Sequence, residues 1–353
     1  MHYCLIFLVS LTNSAIYGEE PTGDHLTLVC YNIRQDTDSD KGPKDWGSRK
    51  GVVSDYLLKK NASIIGLQEV RHNQLIDLQK ALTDHRSLGV GREDGKKRGE
   101  YSPVFYNHKE WILDPKENGT FWLSDTPTIA NSRSWGNHHT RICTWARFIA
   151  KGDPEQKTAL YIYNTHWDHQ SQPARVKSAL LMIEKIKSRK HKDTPYILMG
   201  DLNATLKNPA VKSLLANGFL KDHGKNDYRS SSMWKPDLVP GLRIDHIFTS
   251  PYFEKADFAV ESNPANLDWS GSDHHPVVLH LKEKVIVENY FELVLPHQIK
   301  RITKINTARI ALNNLKYRAR VSFLRFSSSV FSSSSHSSLY FSHQVLHSSS
   351  VAN

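Results

Sequence analysis

The sequence predicts an α/β or α+β fold with mixed sheets, carried by residues 24–282 of a chain of 353. Three observations lead there. Short apolar runs of strand length alternate with stretches whose apolar residues recur at helical spacing. Residues 195–199 carry no charge and are rich in bulky apolar types, as in a strand buried on both faces. Run after run then stops at Asn, Asp, Glu or His, where an ordinary surface would scatter polar types.

In chain order, residues 26–31 compose a strand that ends at Asn32 and Arg34, and residues 42–46 read as loop. Val52, Val53, Tyr56, Leu57 and Leu58 give residues 49–60 helical spacing. Residues 62–67 form a second buried strand, ending at Gln68 and Glu69, and Leu75, Leu78 and Leu82 mark the next helix. Strands follow at 101–106, 142–149 and 158–164, the last running into Thr165, His166, Trp167 and Asp168. Residues 174–190 are the clearest helix, with Val176, Leu180, Leu181, Ile183 and Ile186 on its apolar positions. The 195–199 strand gives way to Gly200, Asp201, Leu202 and Asn203. The i, i+2 spacing turns the carboxylate and the amide to the same side, and Gly200 lets a ligand or another backbone approach. A short helix near 210–216 and a strand at 243–249 containing Asp245 come next, before Ser272-Asp273-His274-His275-Pro276 leads into a strand at 277–281.

The ends differ from this body. An apolar run from Leu5 to Leu11, followed by small and polar residues, reads as a signal peptide over residues 1–18, with a buried N-terminal strand as the alternative. It predicts a secreted chain, or a cytoplasmic one if the run is not a signal. Residues 24–284 form the expected folded domain. Residues 285–353 turn basic and then Ser-rich, the composition of a disordered tail. Eight bases and no acids follow Glu292, so taking eight from the net charge of +10 leaves +2 for residues 1–292. The folded part is nearly balanced, and the whole-chain charge says little about a polyanionic partner. Cys30 and Cys143 lie in apolar, strand-like contexts and read as buried thiols, with a single disulfide as the alternative. Asn61 and Asn118 are glycosylation acceptors if the chain is exported.

The strand-end residues are those that bind a divalent cation and move protons around a phosphate. Singly, Glu69 could be a strand-end charge, His166 a half-buried core histidine and Asp273 a turn cap. Six such positions at strand ends are improbable as accidents. The ordered segments Tyr31-Asn32-Ile33-Arg34, Leu67-Gln68-Glu69-Val70, Asn164-Thr165-His166-Trp167-Asp168, Gly200-Asp201-Leu202-Asn203, Arg243-Ile244-Asp245-His246 and Ser272-Asp273-His274-His275-Pro276 resemble the endonuclease/exonuclease/phosphatase superfamily over roughly residues 26–282. Residues 89–95, 99–101, 121–124 and 141–146 resemble a mostly bacterial subgroup near its deadenylase-like branch. Relatives there carry a Thr-Phe-His-Gly-Phe-like segment where this chain reads Tyr228-Arg229-Ser230-Ser231-Ser232-Met233-Trp234, beside the expected site.

The resemblance implies a four-layer α/β sandwich of two mixed sheets face to face, flanked by helices. It also implies roles. Glu69, assisted by Asn32, would hold Mg²⁺ or Mn²⁺, and Asp273 would complete the metal shell or lock His274. Asp201 would orient or deprotonate the attacking water, with Asn203 bonding it or the phosphate. His274, oriented by Asp245, would be general base or phosphate ligand, and His166, held by Glu100, would donate to the phosphate. Arg92, Arg141 and Arg175 are phosphate-contact candidates, each with a structural salt bridge as the alternative. The activity implied first is a metal-dependent phosphodiesterase on RNA or DNA, such as a 3′–5′ RNA exonuclease. A phosphatase or sphingomyelinase-like enzyme on a small or lipid phosphoester comes second, and a non-catalytic binder on the same scaffold third. No obligate protein partner is implied, and a monomer is expected.

Overall fold

A computed structural model describes residues 26–281 except 154, 156–157, 225–227, 236, 255 and 263–270. The chain divides into two units, Met1–Tyr290 and Phe291–Asn353, and every described residue belongs to the first. The signal-like run and the basic, Ser-rich tail lie outside the described residues.

Twelve strands form among the described residues: β1 (Leu26–Asn32), β2 (Ile64–Gln68), β3 (His85–Leu88), β4 (Val104–Asn107), β5 (Trp111–Trp122), β6 (Ile142–Ala150), β7 (Ala159–His166), β8 (Tyr196–Asp201), β9 (Lys221–Asp222), β10 (Asp245–Thr249), β11 (Ala256–Val260) and β12 (Val277–Leu281). The helices are α1 (Trp46–Lys60), α2 (His72–Ala81), α3 (Gln172–Ser188) and α4 (Pro209–Leu215), with single 3₁₀ turns at Gly42–Lys44 and Ala216–Gly218. Helix α1 starts three residues before its predicted position because Asp45 caps it, accepting the Ser48 N–H at 2.9 Å.

The strands order as β11-β12-β1-β2-β4-β3 in one sheet and β5-β6-β7-β8-β10-β9 in the other. Both are mixed: β1 runs parallel to β2 and β7 parallel to β8, while their other pairings are antiparallel. Side-chain alternation builds the layers. Leu28 and Cys30 of β1 pack with Ile162 of β7 and Ile197 and Met199 of β8 in a core between the sheets. Val29 and Tyr31, one residue out of phase, meet Val53 and Leu57 of α1 and Leu75 and Leu78 of α2. Tyr196 and Leu198 likewise turn outward to Met182 and Ile186 of α3 and Val211 and Leu214 of α4. Three apolar layers between helix, sheet, sheet and helix make the predicted four-layer sandwich.

Two features fix where the strands end. Gln68 Nε2 donates to Asn164 Oδ1 at 2.7 Å, and Asn164 Nδ2 donates to the carbonyls of Leu67 and Pro103, each at 2.8 Å. This buried, satisfied network ties the two sheets together beside the ends of β1, β2 and β7. Gly200, at φ 153°, lies so close to the neighbouring strand that a Cβ there would collide with the Thr165 carbonyl. The approach that glycine permits is therefore by another backbone.

Candidate active site

The parallel pairings bring functional side chains to the same edge of each sheet. Asn32 pairs with Gln68 in β1–β2, so Glu69 follows directly beside Asn32. His166 pairs with Asp201 in β7–β8, and Asp201 with Asp245 in β10–β8. The loops then close the set. Glu69 and Asn203 take positive φ, 62° and 45°, at the residue where each chain leaves its strand and turns.

Asn32 stands between the sheets' chemistry. Its Nδ2 donates to Glu69 Oε1 and to Asp201 Oδ2, each at 3.0 Å, while its Oδ1 accepts the Arg34 N–H at 3.0 Å. Glu69 Oε2 accepts the Gln35 N–H at 3.1 Å. Burial raises the Glu69 pKa, but Asn32, His274, the Gln35 N–H and Arg34 together bring it below the ordinary carboxylate value. Asp201 behaves oppositely. Burial and then the Asp245 charge push it up to about 7, against His274, the Asn203 N–H and Asn32. Its Oδ1 accepts that Asn203 N–H at 2.8 Å.

His274 Nδ1 lies 2.8 Å from Asp245 Oδ2, and its Nε2 lies 3.8 Å from Asp201 Oδ2. Burial alone would lower His274, but Asp245, Asp201 and Asp273 carry it well above its usual value, which favours the imidazolium. His166 is buried and held neutral, by burial first and then by Arg141 and Arg92. Asn203 Nδ2 meets His166 Nε2 at 3.0 Å. With that amide donating, Nε2 accepts and the His166 proton sits on Nδ1, which is buried without a partner.

Asn32, Glu69, His166, Asp201, Asn203, Asp245 and His274 therefore converge through direct contacts. Asp273 lies beside them with its carboxylate 3.8 Å from Arg34 Nη1; burial raises its pKa, and Glu69 raises it further. The resemblance-based link from Glu100 to His166 is absent. Glu100 instead pairs with Arg92, Nη1 to Oε2 at 2.7 Å, because eight residues of turn bring the two buried charges together. Arg175 is also structural, bonding Gln172 Oε1 at 2.8 Å and the Asp168 carbonyl at 2.8 Å. Arg141 departs from the salt-bridge alternative. It is 5% exposed, forms no ion pair among the described residues, and leaves Nε and Nη1 buried without partners. Cys30 and Cys143 are both free and buried.

Ser230 is a site residue that sequence reasoning passed over. Its Oγ accepts the N–H groups of Ile244 at 2.9 Å and Asp245 at 3.0 Å, and its carbonyl accepts the His275 N–H at 2.6 Å. One buried serine thus sets both the start of β10 at Asp245 and the segment before β12 that carries His274. Its place inside the divergent 228–234 segment was the available signal.

The donor set fits a hard divalent cation. Buried Asp201 and half-buried Glu69 and Asp273 crowd negative charge together, and Glu69 and Asp273 act on one another as like charges. Asp201, Asp245 and His274 also offer ligand atoms within 4.8 Å of one another, and Asp245 Oδ1 is buried without a partner. His274, already committed to Asp245, suits proton work better than ligation of a hard ion, which prefers oxygen. Asn32 turns its N–H groups toward the carboxylates, so its contribution to a cation falls to Oδ1.

The sequence model of the Endonuclease/Exonuclease/phosphatase family matches residues 29–274. The chain belongs to that family. An endonuclease/exonuclease/phosphatase family protein from Bacteroides thetaiotaomicron is 33% identical, with a TM-score of 0.64, covering 73% of this chain and 97% of that one. A mannosyl-6-phosphatase from the same organism is also 33% identical, with a TM-score of 0.63, covering 72% of this chain and 98% of that one. Human nocturnin, at 14% identity and a TM-score of 0.55 over 73% of this chain and 94% of its own, shares the fold. No curated protein sequence matches. Family members of this type are usually phosphoester hydrolases, and the Asp201–Asp245–His274 cluster could take a metal.

Proposed function

We propose that the chain is a divalent-metal-dependent phosphomonoesterase acting on a small phosphorylated alcohol such as a sugar phosphate. The observation that carries this is Arg141. A buried guanidinium with two unpartnered N–H groups is costly unless an acceptor arrives. With imidazolium His274 it supplies two positive centres, suited to a monoester, which carries more negative charge at neutral pH than a diester. The likeness to a mannosyl-6-phosphatase at 33% identity, over 72% of this chain and 98% of that one, supports the same substrate class. The phosphodiesterase reading of the motifs ranks second: a neighbour solved with a single-strand DNA product is similar at 17% identity and carries the fold alone.

Arg141 and the His166 Nδ1–H bind the phosphate oxygens. Asp201, with its pKa near neutrality, accepts the proton of the attacking water as the water oxygen bonds to phosphorus. The bond from phosphorus to the alcohol oxygen breaks, and the alkoxide takes a proton from solvent water as it leaves, while Asp201 later returns its proton to solvent. Asp245 keeps His274 charged, and that charge stabilises the phosphoryl oxygens as the transition state forms. Glu69, Asp273 and Asn32 would hold Mg²⁺ or Mn²⁺, which supplies charge neutralisation at the phosphate.

Hydrolysis with Mg²⁺ of a hexose 6-phosphate and glycerol phosphate, read as phosphate released, and of bis-p-nitrophenyl phosphate and an RNA oligonucleotide, read as p-nitrophenol and nucleotide released, tests the proposal. The monoesters are expected to be turned over at least tenfold faster by kcat/KM, roughly the worth of one charge-assisted contact. Preference for the diester or the RNA would overturn it.

A further inference from the structure

Three exposed histidines stand around Arg141: His138, His139 and His169. Arg141 Nη2 lies 3.2 Å from His169 Nδ1. A guanidinium only donates, so Nδ1 accepts and His169 is neutral, with its proton on Nε2. The His139 ring lies 5.8 Å from that of His169, at 21°, and His138 meets His139 edge-on at 4.6 Å and 84°. These separations are direct ring contact, so a nucleobase has no slot between them. Burial, with Arg92 and Arg141 beside it, holds His139 down to about 4, and burial and Arg141 lower His169 as well.

The segment carrying two of these rings is braced. Asn137, itself buried, accepts the Trp135 N–H at 3.3 Å and donates to the His139 carbonyl at 2.9 Å. Thr140 donates to Asn131 Oδ1 at 2.7 Å, and Ser171, the N-cap of α3, donates to the Trp135 carbonyl at 2.9 Å. The rim is therefore set before any ligand arrives, which lowers the ordering cost of binding. Its charged side chains are otherwise engaged: Asp125 accepts the Trp135 Nε1–H, and Arg133 donates to the His138 carbonyl, each at 2.8 Å. Residues 131–141 carry two arginines, Arg133 and Arg141, and no lysine, too little charge for a polyanion track. A metal is equally unsuited, because Arg141 repels it and the three rings form no convergent ligand group among the described residues.

We propose that His138, His139 and His169, set around Arg141, form the subsite for the leaving alcohol, and that this alcohol is uncharged and rich in hydroxyl groups, as in a sugar. His169, whose Nδ1 is taken by Arg141, offers its Nε2–H as a donor, a neutral His139 offers one donor and one acceptor, and a hydroxyl is both, so the edges of these rings pair with neighbouring hydroxyls. The proposal rests on the phosphomonoesterase reading. It adds where specificity resides: the alcohol is read by the 138–139 turn and the loop after β7, outside the Asp201–Asp245–His274 centre.

The test is kcat/KM of the full chain for a hexose 6-phosphate and for p-nitrophenyl phosphate, in wild type and in the His139→Ala/His169→Ala double variant. The ratio of the two constants is expected to fall by about 10-fold in favour of p-nitrophenyl phosphate, the worth of one or two hydrogen bonds. Most of that fall should come from KM for the sugar ester, and His169→Gln, which keeps a donor, should recover part of it. An unchanged ratio, or an equal loss on both substrates, overturns the subsite while leaving phosphomonoesterase activity standing. Wild-type preference for adenosine monophosphate over the hexose ester, abolished in the double variant, overturns the sugar assignment. A wild type that turns over neither monoester removes the subsite together with the reading beneath it.

Discussion

Asp201 is the residue whose environment conflicts most with its charge. A raised folded-state pKa means that its stabilising contribution is full below the ordinary carboxyl value of 3.8 and is lost as pH rises through about 7. Without metal, Asp201→Asn should therefore melt higher than wild type above pH 7, by about 2–4 °C for each kcal/mol relieved, and no higher near pH 4. Differential scanning calorimetry in EDTA at both pH values checks this; equal melting temperatures at pH 8 would contradict it. The same variant should lose about 10²–10⁴-fold in kcat, because it cannot accept a proton. Arg141→Ala tests the other unusual residue. It should raise KM for a phosphomonoester and, by removing the first cation that His166 feels, move the His166 pKa upward in an NMR titration. Of these, Asp201 was legible in the sequence, because a carboxylate and an amide two residues apart close an uncharged strand. Arg141 was seen as one of three equivalent arginines, since which guanidinium finds a carboxylate is decided by tertiary contacts. Glu100 was misassigned for the same reason: its partner Arg92 is eight residues away and competes with any distant histidine.

At the scale of elements, the strands that the sequence shows and those it hides divide by position in the sheet. The unread strands β3, β5, β9 and β11 are the four edge strands. An edge strand is half-solvated, so its sequence carries polar residues on both faces and lacks an unbroken apolar run. Strand β5 adds Asp114, Lys116, Glu117 and Asn118 and a register shift between Leu113 and Asn118, which breaks its alternation. The central strands β1, β2, β7 and β8 carry the site, and they are the legible ones. Two substitutions probe how they hold it. Gly200→Ala should cost about 1–3 kcal/mol or more, because the added methyl meets the Thr165 carbonyl where neither backbone can yield. Ser230→Ala leaves the N–H groups of Ile244 and Asp245 without their shared acceptor and should cost about 1–3 kcal/mol in urea unfolding. If Ser230 sets the Asp245–His274 pair, Ser230→Thr should keep most of the activity that Ser230→Ala loses; equal activity in the two would refute that role.

At the scale of the molecule, two mixed sheets bring six separate segments, at or beside strand ends, to one place, and the apolar layers behind them fix those ends. That architecture was available from the family resemblance that the ordered motifs carry; the residues alone predicted an α/β or α+β class with mixed sheets. The charge distribution is equally readable: the strongly basic stretch follows Glu292, and residues 1–292 are close to neutral. A small uncharged leaving group predicts that KM changes little between about 50 and 200 mM salt, whereas a nucleic-acid substrate would make KM rise steeply over the same range. The measurement that bears most directly on the whole account is phosphate release from a hexose 6-phosphate by the full chain with Mg²⁺, with EDTA, and in His274→Ala. The account predicts rapid release with Mg²⁺, loss of turnover in EDTA, and a fall of about 10²–10⁴-fold in the variant. Release that continues undiminished in EDTA, or that survives the loss of His274, would contradict it.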